Sequence, residues 1–461
     1  MAASITDEVR ADSAALYGFV DSICELCECP DGAYIAPSRR FFQYIGHLGA
    51  KTKTYLSDFP SHIPSDPAFQ PIYRQKLTIL RGCWSELHSL VKPSIDADTL
   101  NVPFPLLAAF YKKLNTISRF VDVSFTVFHL HEVNYALVRA SWIRELTNKL
   151  VSHIPEADAF PRWLGLIGIP YSLRSSVLLN SLIPHEIGHF VFQELDKWSE
   201  LRPHALSELA KVCGPAANLL TPEDIAWALD RIASWAEEVF CDLFAIWMAG
   251  PAYAFAYIEL FDLMRMVYSG PAITNDELQF SFSHPADAFR LSQQVSLLNT
   301  LGWWGKVQTF QTHYVRVLIH VSALPNSEYA FDRRSPLAEK TLETFLNISP
   351  VVAGLVAAAV ENTLDTGKDD FVRLHGFVEG ALHHGIVPST VVVNSQPCHP
   401  SATTILNSAY KVCLESLDIL IDRIHGQDKL SVAVRSQWLK RIELWAMKAF
   451  EDTILLSDGG N

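Results

Sequence analysis

The sequence predicts a mainly α-helical fold with one small β-sheet near the middle of the chain. Apolar residues recur at helical spacing along most of the 461 residues, and 49% of the residues are apolar, which is enough for a buried core. One central segment instead alternates apolar and polar residues, as a strand does. At about 150 residues per domain, the length suggests two or three domains or subdomains.

The elements are predicted in chain order as follows. Residues 1 to about 118 are mainly helical, with proline-containing breaks, and the region beyond about residue 300 is again mainly helical. Two strands are predicted in the middle, at Val121–Val127 and Trp163–Ile169, and Ser389–Asn394 is predicted to be strand-like or extended. Three helices follow the two strands, at Leu173–Trp198, Pro222–Met248 and Ala252–Tyr268. The resulting division is an N-terminal region 1–118, a core 119–298 that holds the sheet and the motifs, and a C-terminal region 299–461.

Charge and composition argue against several classes of protein. The formal net charge of −13 argues against a nucleic-acid partner. The N-terminus lacks the basic and then apolar pattern of a secretory signal, and the 16-residue stretch Leu243–Ile258 is shorter than a membrane span. The eight cysteines do not suggest a disulfide scaffold, and Cys24, Cys27 and Cys29 are not followed by a second metal-binding pair. We therefore expect a soluble, cytoplasmic protein without a transmembrane segment.

The segment His185-Glu186-Ile187-Gly188-His189 predicts a catalytic metal site. Two histidines four residues apart project from the same face of a helix and can bind one ion. Zinc lowers the pKa of a bound water toward about 7, and Glu186 is placed to accept its proton as general base. Pro184 indicates that the helix either bends or begins immediately before His185.

A third ligand is expected from another helix, and Glu238 fits best. Glu238 and Asp242 share a helix face, so Glu238 can bind the metal while Asp242 accepts a hydrogen bond from a ligand imidazole. Glu237 points about 100° away around the helix and is the weaker candidate for the ligand.

A third motif, Ser283-His284-Pro285, is followed by Arg290 six residues after the histidine. His284 can donate a hydrogen bond to a substrate carbonyl, and Arg290 can pair with acidic groups near the site. A simple turn followed by a surface arginine is the alternative interpretation.

These three motifs, in this order and spacing, resemble the gluzincin metallopeptidases, and within them the group of CAAX prenyl endopeptidases and bacterial heat-shock membrane metallopeptidases. The resemblance covers about residues 175 to 295. It implies a gluzincin-like core with one Zn²⁺ per chain, with His185, His189 and Glu238 as ligands and Glu186 as the base. It further implies that Asp242 orients a ligand and that His284 and Arg290 support the reaction.

The predicted function is therefore zinc-dependent hydrolysis of peptide bonds in a peptide or protein substrate. An extended substrate is expected to pair with the strand at Val121–Val127. Two alternatives remain open: a catalytically silent zinc protein that acts as an interaction scaffold, and a zinc hydrolase of a non-peptide amide. A regulatory partner is not identified by the sequence. Among the other histidine clusters, His129-Leu130-His131-Glu132 is assigned a structural role. His383-His384 and Cys398-His399-Pro400 are predicted to lie in a loop region and to have no catalytic role.

Overall fold

A computed structural model of the chain describes most of its residues. These are residues 5–28, 36–62, 67–99, 104–121, 123–130, 135–138, 140–154, 157–158, 161, 164–173, 175–268, 279–303, 305, 330–331, 335–360, 366–425 and 431–458. The described part is mostly helical with a small sheet, as predicted. It divides into two compact units. The predicted three-region division stays a prediction.

Unit 1 comprises residues 1–104 and 122–175. Its helices are α1 Ile5–Cys27, α2 Ala36–Asp58, α3 Gln70–Thr99 and α5 Ala140–Val151, and its strands are β1 Ser124–Leu130, β2 Ala136–Val138 and β3 Leu164–Pro170. The sheet order is β1-β3-β2, in which β1 and β3 are parallel and β2 is antiparallel to β3. The helices and the sheet enclose one apolar core around Trp84, Phe41 and Leu166.

The first predicted strand was placed too early in the chain, at Val121–Val127, and the structure begins it at Ser124. The expected alternation of buried and exposed residues is also wrong, because Thr126 and Phe128 are buried along with Phe125 and Val127. The parallel strand β3 is likewise buried on both faces. A short sheet whose strands are buried on both faces needs no polar face, so the sequence of a strand does not have to alternate.

Unit 2 comprises residues 105–121 and 176–461. Its first helices are α4 Phe104–Leu114, α6 Ile183–Glu194, α7 Lys197–Cys213, α8 Pro222–Ala249, α9 Pro251–Tyr268 and α10 Asp287–Thr300. Then follow α11 Pro336–Ala359, α12 Lys368–His383, α13 Ala402–Lys411, α14 Leu417–His425 and α15 Val432–Asp458. Two pairs of short strands complete it: β4 Gln279–Phe280 with β5 Ala330–Phe331, and the hairpin of β6 Val391–Val393 with β7 Gln396–Cys398.

Helix α8 is the central element of unit 2, since α6, α7, α10 and α11 all pack against it. Its bounds follow from local signals. Thr221 precedes the helix and forms a capping box with Asp224 in its first turn, and Gly250 ends the helix with a φ of 65°. The predicted Pro222–Met248 therefore differs from the observed helix by one residue.

The helix predicted at Leu173–Trp198 was too long. The chain forms short 3₁₀ turns at Tyr171–Leu173 and Leu179–Leu182, and the α-helix begins only at Ile183. Proline at position 184 is incompatible with a helix interior and suits a first turn, so the helix begins there rather than bending.

Helix α11 is long and apolar enough to cross a membrane by length and composition, with less than half of its most apolar window buried. Its buried residues recur every three to four positions against α7 and α8, as in a helix of a protein core. This stretch was not singled out from the sequence, and the expected absence of a membrane span stays a prediction.

Candidate metal centre

The two histidines of the first motif lie on one face of α6. His185 is in the first turn of the helix and His189 is one turn later, and their ring centroids are 4.9 Å apart. Both rings are mostly buried, with exposed fractions of 12% and 17%. The i,i+4 spacing thus brings two imidazoles into one enclosed site, as the sequence predicted.

Gly188 determines how closely α6 approaches α8. A Cβ atom built at this position would lie 2.8 Å from Cα of Cys241 and 3.1 Å from its Cβ. Carbon atoms pack at about 3.5–4.0 Å, so no side chain fits at position 188 without moving one of the two helices. The glycine therefore lets the histidines reach the acidic residues of α8.

Both imidazole rings turn Nε2 toward the carboxylate of Glu238. Nε2 of His185 lies 3.5 Å from Glu238 Oε2, and Nε2 of His189 lies 3.7 Å from Glu238 Oε1. Two ring nitrogens of α6 thus face the two oxygens of one carboxylate of α8. Two imidazoles and one carboxylate are a donor set that can hold a metal ion.

The opposite ring nitrogens are held by two other carboxylates of α8. Nδ1 of His185 donates to Asp242 Oδ1 at 2.9 Å, and Nδ1 of His189 donates to Glu237 Oε1 at 2.9 Å. Gln193 also donates to Glu237 Oε1, at 2.9 Å. A carboxylate on Nδ1 orients the ring and makes Nε2 a better metal ligand.

Arg290 ties the carboxylates of α8 to helix α10. Its Nε donates to Asp242 Oδ2 and its Nη2 to Asp242 Oδ1, both at 2.7 Å, while Nη2 lies 3.1 Å from Glu238 Oε2. Asp242 has no exposed surface and Arg290 is 7% exposed. A bidentate pair of this kind compensates two buried charges and holds the carboxylate plane in place.

Burial and pairing together set the charges of the centre. Burial by itself lowers the pKa of His185, but hydrogen bonds to Asp242 and Glu238 outweigh it and raise that pKa to about 10. Burial acts to raise the pKa of Glu238 and of Asp242, yet the Arg290 guanidinium lowers both below their usual range. The carboxyl of Glu237 is likewise lowered in pKa, against its burial, by the histidine that it contacts. In the metal-free protein the centre therefore pairs ionised carboxylates with protonated imidazoles, and each histidine has to release a proton before its Nε2 can bind a metal.

Cys241 is also part of the cluster. Ligand atoms of His185, His189 and Cys241 all lie within 4.8 Å of one another, so these three residues can hold a metal ion. The thiol is buried, and its burial and the nearby carboxylates raise its pKa well above the usual value. This set differs from the one with Glu238, to which both Nε2 atoms point. We favour Glu238 because each Nδ1 is already engaged by a carboxylate and each Nε2 faces Glu238.

Glu186 and His284 complete the predicted catalytic set. Glu186 is 5% exposed, and its negative charge acts on His189. Nε2 of His284 lies 3.6 Å from Glu238 Oε1, and its Nδ1 is 2.7 Å from the hydroxyl oxygen of Ser283. The His284 side chain is 53% exposed, which leaves it accessible to a ligand.

The turn that carries His284 is attached to α8 by two side chains. Nε1 of Trp235 donates to the backbone oxygen of Ser281 at 2.9 Å, and Nη1 of Arg231 donates to that of Phe282 at 2.6 Å. The Trp235 ring also packs edge-on against Phe280. These contacts explain how a His-Pro turn, which is common in proteins, is positioned at this site.

The structure brings together all seven residues that the sequence analysis selected: His185, Glu186, His189, Glu238, Asp242, His284 and Arg290. Their catalytic and metal-binding roles stay predictions. Sequence reasoning missed Glu237 as a partner of His189 and missed Tyr253, which the structure places beside His185. Glu237 could have been found from the sequence, because it is adjacent to Glu238. No feature of the sequence pointed to Tyr253.

The other histidine clusters have different surroundings. His383 bonds to the Ser416 hydroxyl, His384 to the Gly380 backbone oxygen and His399 to the Ser389 backbone oxygen, each through a ring nitrogen. His131 and Glu132 lie outside the described residues, as does Cys29. Cys24 and Cys27 are free thiols.

Comparisons of the chain with protein-family models, with curated proteins and with solved structures find no match. The arguments about function therefore rest on the residues and geometry of the centre itself.

Proposed function

We propose that the chain is a zinc-dependent metallopeptidase with a gluzincin-like core, whose metal is held by His185, His189 and Glu238. The observation that carries the proposal is the convergence of both Nε2 atoms on the Glu238 carboxylate at 3.5 and 3.7 Å. Ligand atoms at about 2.0–2.1 Å from a tetrahedral zinc lie about 3.3 Å apart from one another. The two observed nitrogen–oxygen separations are close to that value, and two imidazoles with one carboxylate are a donor set that suits zinc.

When bound, zinc polarises a scissile carbonyl and lowers the pKa of a coordinated water to about 7. The protein supplies the proton transfers and the orientation. Glu186 follows His185 directly on α6, and in this proposal its carboxylate takes a proton from the attacking water and delivers it to the leaving amine. His284 is exposed at the edge of the centre and donates a hydrogen bond to the oxygen on which negative charge develops.

Asp242, Glu237 and Arg290 act through the ligands in this proposal. The two carboxylates hold the imidazoles by Nδ1, and the guanidinium holds Asp242 by two hydrogen bonds. The ligand carboxylate of Glu238 is shared with Arg290, which restrains its rotation. A site of this rigidity is suited to a catalytic metal, whose reactivity depends on fixed ligand geometry.

A catalytically silent zinc protein is the second candidate, and Cys241 is the observation that favours it. With the thiol as a fourth ligand, the coordination would be closed, as in structural zinc sites. The buried Glu186 favours the catalytic proposal, because a closed structural site has no use for a carboxylate next to its ligands. A zinc hydrolase of a non-peptide amide would use the same ligands and remains an outcome of the activity test.

The test begins with metal content after purification without added metal, for the natural chain and the variants His185→Ala, Glu238→Ala and Cys241→Ala. We expect about one zinc per chain in the natural protein and in Cys241→Ala, and loss of zinc in the other two. If zinc is retained in Glu238→Ala and lost in Cys241→Ala, the third ligand is Cys241 rather than Glu238. That result would favour the catalytically silent zinc protein. No zinc in the natural chain, even after zinc is supplied, would refute the proposal.

The catalytic step is tested with a peptide library read by mass spectrometry. Glu186→Gln should keep the zinc content and the melting temperature and lose peptide turnover by a factor of about 10² or more. Full turnover in this variant would refute the role of Glu186. Cleavage of non-peptide amides alone would identify the other hydrolase class.

A peptide substrate that pairs with β1 also stays a prediction. The strand does lie at an edge of its sheet, in the order β1-β3-β2.

A further inference from the structure

Tyr253 of α9 lies on the far side of His185 from Glu238, although no motif includes it. Its hydroxyl is 3.1 Å from Nδ1 of His185 and 2.5 Å from Oδ1 of Asp242, and the residue is 1% exposed. The tyrosine and imidazole rings are parallel to within 5°. The tyrosine thus covers the hydrogen bond between His185 and Asp242.

The direction of its hydroxyl proton follows from the neighbouring charges. Asp242 is paired with Arg290 and accepts at both oxygens, so it has no proton to donate. The hydroxyl of Tyr253 therefore donates to Asp242 Oδ1, which also accepts Nδ1–H of His185 and Nη2–H of Arg290. Three donors on one oxygen leave the carboxylate a single orientation.

We propose that Tyr253 is a positioning residue, which keeps the His185 ring turned with Nδ1–H toward Asp242 and Nε2 toward the metal. The proposal rests on the metal centre of the proposed function. If the hydroxyl is removed, Asp242 Oδ1 loses a buried donor and a space opens next to Nδ1. The ring then gains freedom to rotate, and its Nδ1 proton is no longer shielded from water.

The same helix offers a matched control. Tyr257 lies one turn later and is half-buried, and its ring centroid is 6.2 Å from that of Tyr253. Its hydroxyl donates to Asp287 at 2.6 Å rather than to Asp242. Tyr257→Phe therefore removes the same atom from the same helix without touching the His185–Asp242 bond.

The experiment measures Zn²⁺ affinity by competition with a chromophoric chelator, for the natural chain, Tyr253→Phe and Tyr257→Phe. Circular dichroism and melting temperature establish that each variant is folded. We expect an affinity loss of about tenfold in Tyr253→Phe, as found when a residue that orients a metal ligand is removed. We expect a change of less than about twofold in Tyr257→Phe. Equal affinities of the natural chain and Tyr253→Phe would overturn the proposal.

A second readout needs no metal. The downfield proton resonance of His185 Nδ1–H, assigned by its absence in His185→Ala, reports the hydrogen bond to Asp242 in the metal-free protein. It should shift and exchange faster with water in Tyr253→Phe and stay unchanged in Tyr257→Phe. If the natural chain binds no zinc, the proposed function is refuted. The role of Tyr253 is then tested by the Nδ1–H resonance alone. An unchanged resonance in Tyr253→Phe would then overturn the positioning role.

Discussion

The substitution Gly188→Ala tests the close approach of α6 and α8 from which the metal centre is built. The added Cβ would lie 2.8 Å from the Cys241 Cα, a backbone atom that cannot rotate away. Restoring ordinary contact requires the helices to separate by about 0.7 Å or more. Overpacking of this kind costs about 1–3 kcal/mol, and the better helix propensity of alanine returns at most about 1 kcal/mol.

We therefore expect the free energy of unfolding to fall by about 1–2 kcal/mol in Gly188→Ala. Zinc affinity should fall as well, because the histidines move with α6 relative to Glu238. Urea unfolding followed by circular dichroism measures the first effect, and chelator competition the second. Cys241→Ala should not rescue the variant, since the close contact is with Cα, which alanine retains.

Gly354→Ala is the control, for which we expect the free energy of unfolding to rise rather than fall. Gly354 lies on α11, and a Cβ there meets nothing within 4 Å. Alanine should stabilise the protein by about 0.5–1 kcal/mol through helix propensity alone. If Gly188→Ala is as stable as Gly354→Ala and binds zinc normally, the two helices are not as close as described and the argument for the centre is refuted.

Three further predictions concern charged groups. Glu237→Gln should weaken zinc binding about tenfold in chelator competition, because His189 loses its charged partner; an unchanged affinity would exclude that role. Arg290→Met should lower the free energy of unfolding by about 3–5 kcal/mol in urea, because the Asp242 carboxylate is left buried without its main partner. Burial acts to raise the pKa of Asp370, but hydrogen bonds from the first turn of α13 hold it below the usual value. Asp370→Asn should therefore destabilise the protein by about 1–2 kcal/mol at pH 7. Because the folded pKa is the lower one, this stabilisation is present above the unfolded pKa of about 4 and is lost as the pH falls through the folded pKa, so the urea midpoints should converge in acid; a constant difference would contradict the assignment.

The bounds of α8 could be predicted because its signals are local. Thr221, Pro222 and Gly250 mark the ends of α8 by capping chemistry and backbone conformation, which depend on neighbouring residues only. The spacing of His185 and His189 likewise determines a shared helix face. Such features need no knowledge of the rest of the fold.

The contacts between helices could not be predicted in the same way. Glu237 was set aside because it points about 100° away from Glu238 around α8. The structure shows that this direction is where His189 lies, one turn further along α6 than His185. Which glutamate meets which histidine depends on how the two helices cross, and the spacing within each helix does not specify that.

Tyr253 and the strand β1 show the same limit. A tyrosine on a largely apolar helix carries no sign of its partner, since the partner is 11 residues away in sequence and on another helix. The segment at Val121–Val127 had a pattern of alternation, but pairing with β3 moved the strand to Ser124–Leu130. The pairing with β3 determined where β1 begins and ends, as tertiary contacts commonly do for short strands.

The corner between α8 and α9 makes the motif region dependent on distant parts of the chain. Lys113 of α4 donates to the backbone oxygens of Trp247 and Met248, at 3.1 and 2.8 Å. Asn407 of α13 donates to the Ala249 oxygen and accepts from the Ala252 nitrogen, at 2.9 and 2.8 Å.

A fragment of residues 175–295 would contain every motif residue and neither of these partners. In the fragment, the backbone groups at the end of α8 that Lys113 and Asn407 bond would lose these hydrogen bonds. The resulting loss of stability is more than a small fragment can offset. During synthesis, the corner is likewise complete only after residue 407 has left the ribosome. The candidate metal centre is therefore completed late, and we expect a product truncated before that point not to form it.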